Sequence, residues 1–454
     1  MKNMTKKKVI VRFPPSPTGN LHIGGARTAL FNYLFAKHTG GSFLLRIEDT
    51  DKERSKKEFE ENILGALAWL GITHDNKKLV RQSERTDIYR KHLKQLVDEG
   101  KAYLSKEEVK EGSRSEVIRF KNPNKTISFK DLIRGEIVFN TTDLGDFVIA
   151  KSLEEPLYHL AVVIDDYEMN ITHVIRGEDH ISNTPRQILI QEALDFPRPI
   201  YAHIPLILAR DKSKLSKRHG AVSVTEYRDK GYSPSALVNY LALLGWNPGG
   251  EREIWSVKEL ALQFDITKVQ KGGAIFDEVK LRAINREYLQ ALPETEKKTC
   301  IQKILKEKTG AGKIAPEKLS AIVKIAFERA STSGDIEEAF ASGEFDLFFS
   351  PPEIQNPTSI LWKGDTNPRK TVERLKKCVE IISVIPEKDF RAENIKLALM
   401  NYAESEGKGS VLWPMRYALS GREKSPDPFT IAEVIGKAEA IQRLTTAIEY
   451  VAKL

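Results

Sequence analysis

The chain has 454 residues, 41% of them hydrophobic, enough apolar material for a sizeable core divided over three or four modules of roughly 100–150 residues each. Its formal charge of +8 is spread over 71 Lys and Arg residues, which favours a polyanionic partner over a purely metabolic enzyme. The two cysteines, Cys300 and Cys378, stand too far apart for a metal or redox motif and fit a reducing compartment, while no stretch approaches 18 apolar residues and the basic start MKNMTKKKV lacks an apolar run, so neither a membrane span nor a signal peptide is expected.

Residues 9–13 form a short apolar run that reads as a buried strand, and the following PPSPTG cannot continue it. Ala26, Ala29, Leu30, Tyr33 and Leu34 then recur at helical spacing. Strand, tight turn and helix aim unpaired backbone N–H groups and the positive end of a helix dipole at whatever lies over the turn, an arrangement suited to a phosphate. His22 stands at the helix start, and Gly24 and Gly25 remove side chains there, so that a flat ring can approach the backbone.

SFLLRI, residues 42–47, makes a second buried strand ending in the acidic Glu48, Asp49 and Asp51, where ligands bind in an open α/β sheet. Ser55 and Glu58 are spaced as a capping box for a helix carrying Phe59, Ile63, Leu67 and Leu70, and a further helix begins near Ser83. From 101 to about 158 short strand-like pieces alternate with Gly, Pro and Asn, as in an insertion within the sheet. Residues 172–175 return to the sheet, Arg176 lies at that strand's carboxyl end, and Thr184 caps the next helix with Pro185 at its first position. A strand over 203–208 leads into the polar loop ARDKSKLSKRHG. Beyond 224 the pattern is helical to the end, with helices expected at 318–330, 371–384, 395–405 and 431–452.

SPTGNLHIGGARTALFNYLF closely resembles the ATP-binding "HIGH" region of class I aminoacyl-tRNA synthetases, and within them of the glutamyl enzymes, which commonly write the fourth motif position as glycine, here Gly25. FLLRIEDTDKERS, GYSPSALVNYLALLGWNP and LWPMRYALSGREKSPDPF match the same family, and KLSKR, residues 214–218, resembles its second motif, "KMSKS". The resemblance implies an α/β protein: a Rossmann-type parallel-sheet catalytic domain (residues 1–80 and 161–220) interrupted by an α+β acceptor-binding insertion (81–160). A helical stem-contact domain (221–300) and an all-helical anticodon-binding region (301–454) follow. The helical tail separates the chain from the glutaminyl enzymes, which usually end in β-barrels.

By the same resemblance His22, Lys214 and Lys217 are catalytic; Thr18, His22, Gly24, Gly25 and Lys217 bind ATP; and Arg12, Ser16, Glu48, Tyr158 and Arg176 hold glutamate. Arginine suits that last role because its fork grips a carboxylate with two parallel bonds. ATP is the implied substrate, Mg2+ the implied cation, and L-glutamate and tRNA(Glu) the implied partners, with tRNA(Gln) a second candidate acceptor, in a cytoplasmic monomer. Many relatives carry zinc-binding cysteines just after an Ala-Tyr pair; here Ala102-Tyr103 is followed by Leu-Ser-Lys-Glu, so no structural zinc is expected. Glutamine is the nearest rival substrate, and a catalytically idle tRNA-binding protein the rival of a different class.

Overall fold

The computed structural model describes residues 8–106, 116–216, 218, 223–309, 314–354 and 356–454. Two units are distinguished, residues 1–288 and 289–454.

The first unit begins with β1 (Ile10–Phe13), α1 (Ile23–Thr39), β2 (Ser42–Ile47), α2 (Lys57–Trp69), β3 (Val80–Arg81) and α3 (Thr86–Asp98). The chain then runs through β4 (Ala102–Lys106), β5 (Glu116–Phe120), β6 (Thr126–Asp131), β7 (Gly135–Asn140), β8 (Phe147–Ser152) and β9 (Glu155–Pro156). It returns through α4 (Tyr158–Glu168), β10 (His173–Gly177), α5 (Thr184–Ala193) and β11 (Ile200–Ile204). The apolar runs IVRF and SFLLRI pair in parallel, Ile10 opposite Ser42 and Arg12 opposite Leu44, and β3 adds beyond β2. On the other side Thr172 ties β1 to β10: its N–H donates to the Ile10 carbonyl at 2.9 Å and its Oγ1 accepts the Ile10 N–H at 2.8 Å. With β11 parallel to β10, two parallel sheets, β3-β2-β1 and β10-β11, meet edge to edge at the Thr172 junction, and together they have the order β3-β2-β1-β10-β11 of a doubly wound fold whose direction of winding reverses between β1 and β10. Arg46, Arg12 and Arg176 occupy carboxyl-terminal positions on β2, β1 and β10, at that reversal.

The insertion divides between two sheets. β4, β5, β8 and β9 form an antiparallel sheet, whereas the β6–β7 hairpin extends the core sheet, with Asp131 opposite Tyr201 of β11. The strand-like pieces legible in the sequence, 117–120, 136–139 and 146–150, correspond to β5, β7 and β8, whereas β6, whose TISFKD alternates buried and exposed residues, is too polar to stand out. Downstream, β12 (Ile207–Leu208), α6 (Val224–Asp229), α7 (Pro234–Leu243), α8 (Val257–Gln263), β13 (Ala274–Ile275) and α9 (Glu278–Gln290) follow, with α7 and α8 supplying Leu237, Leu241 and Leu260 to the core around α1.

Three expected caps are replaced. Lys56 occupies the cap position of α2 without a side-chain bond, and the Ser55 hydroxyl has no partner. Ser83 lies in the middle of a single 3-10 turn, Gln82–Glu84, ahead of α3 and bonds Asp49 through both its N–H (2.8 Å) and its hydroxyl (2.6 Å). Thr184 lies inside α5, where its hydroxyl accepts from Arg176. For Ser83 and Thr184 a side chain from elsewhere in the chain engages the hydroxyl that spacing assigns to a local cap, a contest that spacing cannot show.

The second unit contains α10 (Glu294–Thr309), α11 (Pro316–Arg329), α12 (Ser333–Ala341), α13 (Pro368–Ser383), α14 (Ala392–Glu406), α15 (Lys408–Ser420), α16 (Pro428–Ile435) and α17 (Lys437–Val451), with no strand among the described residues. The helix expected over 431–452 is two, because Gly436 at φ 86° breaks it. Arg443 of α17, 5% exposed, donates to the buried carbonyls of Leu347 and Leu419 and to that of Ser350, satisfying backbone groups left over where helical segments end.

Candidate active site

His22 is the N-cap of α1, and its Nδ1 accepts the Gly24 N–H at 3.0 Å. That bond fixes the tautomer: the neutral ring carries its proton on Nε2. Burial first, then the nearby Lys214, lower the His22 pKa, against a smaller opposing effect of Glu226, so the ring is neutral near pH 7. A Cβ on Gly24 would stand 3.3 Å from His22 Nδ1, and one on Gly25 3.2 Å from Leu21 Cδ1, so the glycines keep this turn tight. Beyond the KLSKR loop the chain returns to the same place, with Ser223 bridging His22 and the Val224 N–H donating to the Leu21 carbonyl at 2.9 Å. The two motifs, about 190 residues apart in sequence, are thereby brought side by side. Lys214 is largely exposed and lies 3.3 Å from Asp179 Oδ2. Lys217 lies outside the described residues.

Beneath the turn runs a buried chain of alternating charge. Arg12, 1% exposed, binds Asp166 through Nε (3.1 Å) and Nη2 (3.2 Å). Arg46, fully buried, binds the same carboxylate through Nη1 (2.7 Å) and Glu48 through Nη2 (2.8 Å). Asp165 accepts from Arg85 Nε (2.7 Å), Gln82 Nε2 (2.8 Å) and the Tyr89 hydroxyl, with Arg46 3.6 Å away. Three arginines thus face three carboxylates, the balance a buried ionic cluster requires. Burial alone would raise Asp166, but Arg12 and Arg46 outweigh it and hold its carboxyl below the usual range. For Glu48 burial prevails over Arg46 and the carboxyl is pushed up.

Arg176 stands apart from this cluster. Its Nε donates to His203 Nε2 at 3.1 Å and its Nη2 to Thr184 Oγ1 at 2.8 Å, with no carboxylate in bonding range among the described residues. The Nη1 atoms of both Arg176 and Arg12 are buried without a hydrogen-bond partner there. A buried donor left unpaired costs about 1–3 kcal/mol, more when charged, so two of them at one place mark a candidate position for a ligand with acceptors. Tyr158, whose hydroxyl lies 3.1 Å from His180 Nδ1, stands beside them; burial, then Arg176, bring His180 to a pKa of about 4, so that ring is neutral as well.

A cleft of about 1750 Å3 is lined by Arg12, Ser16, His22, Gly24, Gly25, Glu48, Tyr158, Arg176 and Lys214, with the Arg46, Asp165 and Asp166 side chains and His203 outside the lining. It exceeds the roughly 300–1,000 Å3 of a typical small-molecule pocket. Thr18 is the expected residue among those described that does not line it; its N–H closes the turn onto the Ser16 carbonyl at 2.9 Å. Sequence reading also passed over Arg46, taken as part of an apolar strand, and Asp165-Asp166, although two adjacent acids within the apolar LAVVIDDYEM were a visible signal of a buried ionic partner.

A family model described as tRNA synthetases class I (E and Q), catalytic domain, matches residues 8–115 and 104–283, and one described as an anticodon binding domain matches residues 287–448. Sheet order, cleft and helical second unit are accordingly those of a class I tRNA synthetase. Curated relatives include the glutamate–tRNA ligases of Desulforamulus reducens (42% identical, 97% of this chain and 99% of that protein) and Carboxydothermus hydrogenoformans (41%, 96% and 99%). A crystal structure of a glutamate tRNA ligase from Elizabethkingia meningosepticum in complex with its amino acid superimposes with a TM-score of 0.85 at 36% identity, over 98% of this chain and 99% of that one. The glutamate-tRNA synthetase of Elizabethkingia anophelis gives 0.83 at 36%, over 98% and 100%. The chain belongs to the glutamate–tRNA ligase family.

Proposed function

We propose that the protein ligates L-glutamate to the 3' end of tRNA(Glu) at the expense of ATP, through a glutamyl-adenylate, releasing pyrophosphate and then AMP. The pair of buried Nη1 donors on Arg12 and Arg176, in a cleft shared with His22, carries this reading. Their guanidinium groups hold the substrate's carboxylates, and Glu48, already fixed by Arg46, offers the negative charge for its ammonium group. A glutamate carboxylate oxygen attacks the α-phosphorus in line, the new P–O bond forming as the bond to pyrophosphate breaks; the 3'-terminal ribose hydroxyl of tRNA then displaces AMP. The protein supplies positioning and positive charge, a role we assign to the His22 Nε2–H and the KLSKR lysines as charge gathers on the phosphoryl oxygens. Among the described residues no cluster of three His, Cys, Asp or Glu side chains is poised to hold a metal, so the magnesium we assign is the one carried by the nucleotide's phosphates. We take the enzyme to work as a cytoplasmic monomer.

ATP–pyrophosphate exchange dependent on glutamate, measured with and without tRNA, tests the assignment: exchange identifies the enzyme, and tRNA binding without exchange or charging identifies the idle binder. Charging purified tRNA(Glu) and tRNA(Gln) in parallel defines the acceptor.

Two outcomes follow. Lys217→Ala lowers the rate of adenylate formation by about 10²–10³ while leaving glutamate affinity nearly intact, the signature of a lost transition-state contact; activity within a fewfold of the parent removes Lys217 from the mechanism. Deleting residues 289–454, a separate unit, spares exchange or ATP binding but abolishes tRNA charging, and the salt dependence of tRNA affinity becomes shallower because phosphate contacts go with it. A thermal melt of the truncated chain supplies the control for folding, and an unchanged salt slope assigns the second unit another task.

A further inference from the structure

We propose that Asp131 and His203, which lie outside the cleft lining, are positioning residues that aim the Arg176 guanidinium at glutamate; this rests on the assignment of Arg176 to the glutamate pocket. The hydrogen bonds dictate the His203 tautomer. Arginine is a donor only, so the 3.1 Å bond from Arg176 Nε makes His203 Nε2 an acceptor. The ring proton is then on Nδ1, which donates to Asp131 Oδ2 at 2.7 Å, both side chains being fully buried. Thr184 Oγ1 accepts from Arg176 Nη2 at 2.8 Å, and its own proton has two acceptors in reach, the His180 carbonyl at 3.1 Å and His203 Nε2 at 3.2 Å. Two of the three guanidinium nitrogens are thereby fixed, and the third, Nη1, is left for the ligand.

Asp131 comes from β6, the strand that the insertion adds to the core sheet, and the reach is direct: Tyr201 of β11 lies opposite it and His203 two residues on. The carboxylate also accepts the His203 N–H at 3.0 Å through Oδ2 and the N–H groups of Ile133 (2.9 Å) and Arg134 (2.8 Å) through Oδ1. Burial alone would raise the Asp131 carboxyl, but these donors outweigh it and keep it ionised. Ending the sheet ladder is a sufficient structural reason for an acid here. It does not account for an imidazole held in one tautomer with its lone pair turned onto a buried arginine, since a protonated Nε2 would set donor against donor.

Asp131→Asn presents an amide N–H₂ to His203 Nδ1, so the ring proton moves to Nε2 and faces Arg176 Nε–H. The expected result is a KM for glutamate raised about tenfold or more, from a buried donor left unpaired, with kcat and the KM for ATP changed by less than about threefold. In selectively ¹⁵N-histidine-labelled full-length protein the two His203 nitrogen shifts exchange character. A purely structural role would lower the melting temperature and leave the glutamate KM and the tautomer in place, and that result overturns the proposal. Should Asp131→Asn fail to fold, His203→Leu, which removes the acceptor, takes its place: it raises the glutamate KM by a similar factor, whereas His203→Gln, with an oxygen able to reach the Nε2 position, restores most of it. A glutamate KM equal to the parent's in His203→Leu also overturns the proposal. Arg176→Lys separates the two levels of the argument. If it leaves the glutamate KM unchanged, the pocket assignment is wrong; if it raises that KM while Asp131→Asn and His203→Leu do not, only the positioning role is lost.

Discussion

Arg12→Gln costs most of the glutamate-dependent exchange and narrows the preference for glutamate over glutamine. The two amino acids are nearly the same size, so shape separates them little and selection falls to charge at the terminal group. Arg12 keeps Nε and Nη2 on Asp166 and has Nη1 buried without a partner. A charge-assisted hydrogen bond contributes roughly 1.5–3 kcal/mol net, about 10- to 150-fold in affinity, and a carboxylate that also engages Arg176 gains more. Glutamine brings an amide N–H₂ to the same donors, so rejection exceeds the attraction lost. In the variant Asp166 still has Arg46 at 2.7 Å, so the fold is held and the loss is read in kinetics. Exchange rates with both amino acids decide the matter: a preference undiminished in Arg12→Gln moves the selecting role to Arg176.

Arg46→Met produces the largest loss of stability. Methionine fills comparable space but leaves Glu48, 8% exposed, without the arginine that holds it and weakens the environment of Asp165 and Asp166. Removing one partner of a buried ionic group typically costs about 3–5 kcal/mol, because the charge left behind is neither hydrated nor paired. Arg85 and Arg12 still serve Asp165 and Asp166, so Glu48 carries most of the damage. Its carboxyl is already above the usual range through burial and rises further without Arg46. A carboxyl with a folded-state pKa above its unfolded value destabilises the fold most above that folded pKa, and the deficit shrinks as pH falls through it toward about 4.3. Denaturant midpoints of parent and variant therefore differ most at neutral pH and converge on mild acidification. A constant difference from pH 7.5 to 5 would show that the loss comes from packing and not from the stranded charge, and Arg46→Lys separates charge from fork geometry.

Local pattern in this chain determined the strand, turn and helix over 10–39, the buried strand SFLLRI, and the helical second unit, because each rests on apolar spacing and on Gly and Pro at chain breaks, interactions a few residues long. The family resemblance, not local pattern, pointed to His22, Arg12, Glu48, Tyr158, Arg176 and Lys214, which the fold gathers along one cleft although they span about 200 residues. Where local and distant partners compete, the chain order gave the wrong partner: Ser83 serves Asp49, Thr184 serves Arg176, and Gly436 divides an apolar stripe that reads as one helix. Only the tertiary structure assigned Arg46, Asp165 and Asp166 to one charge cluster and delivered Asp131 from an inserted hairpin to His203. A buried charge is stable only with a partner, and that partner is chosen by which strands lie side by side, so its identity is a property of the sheet order and register and has no signature in the residues on either side of it.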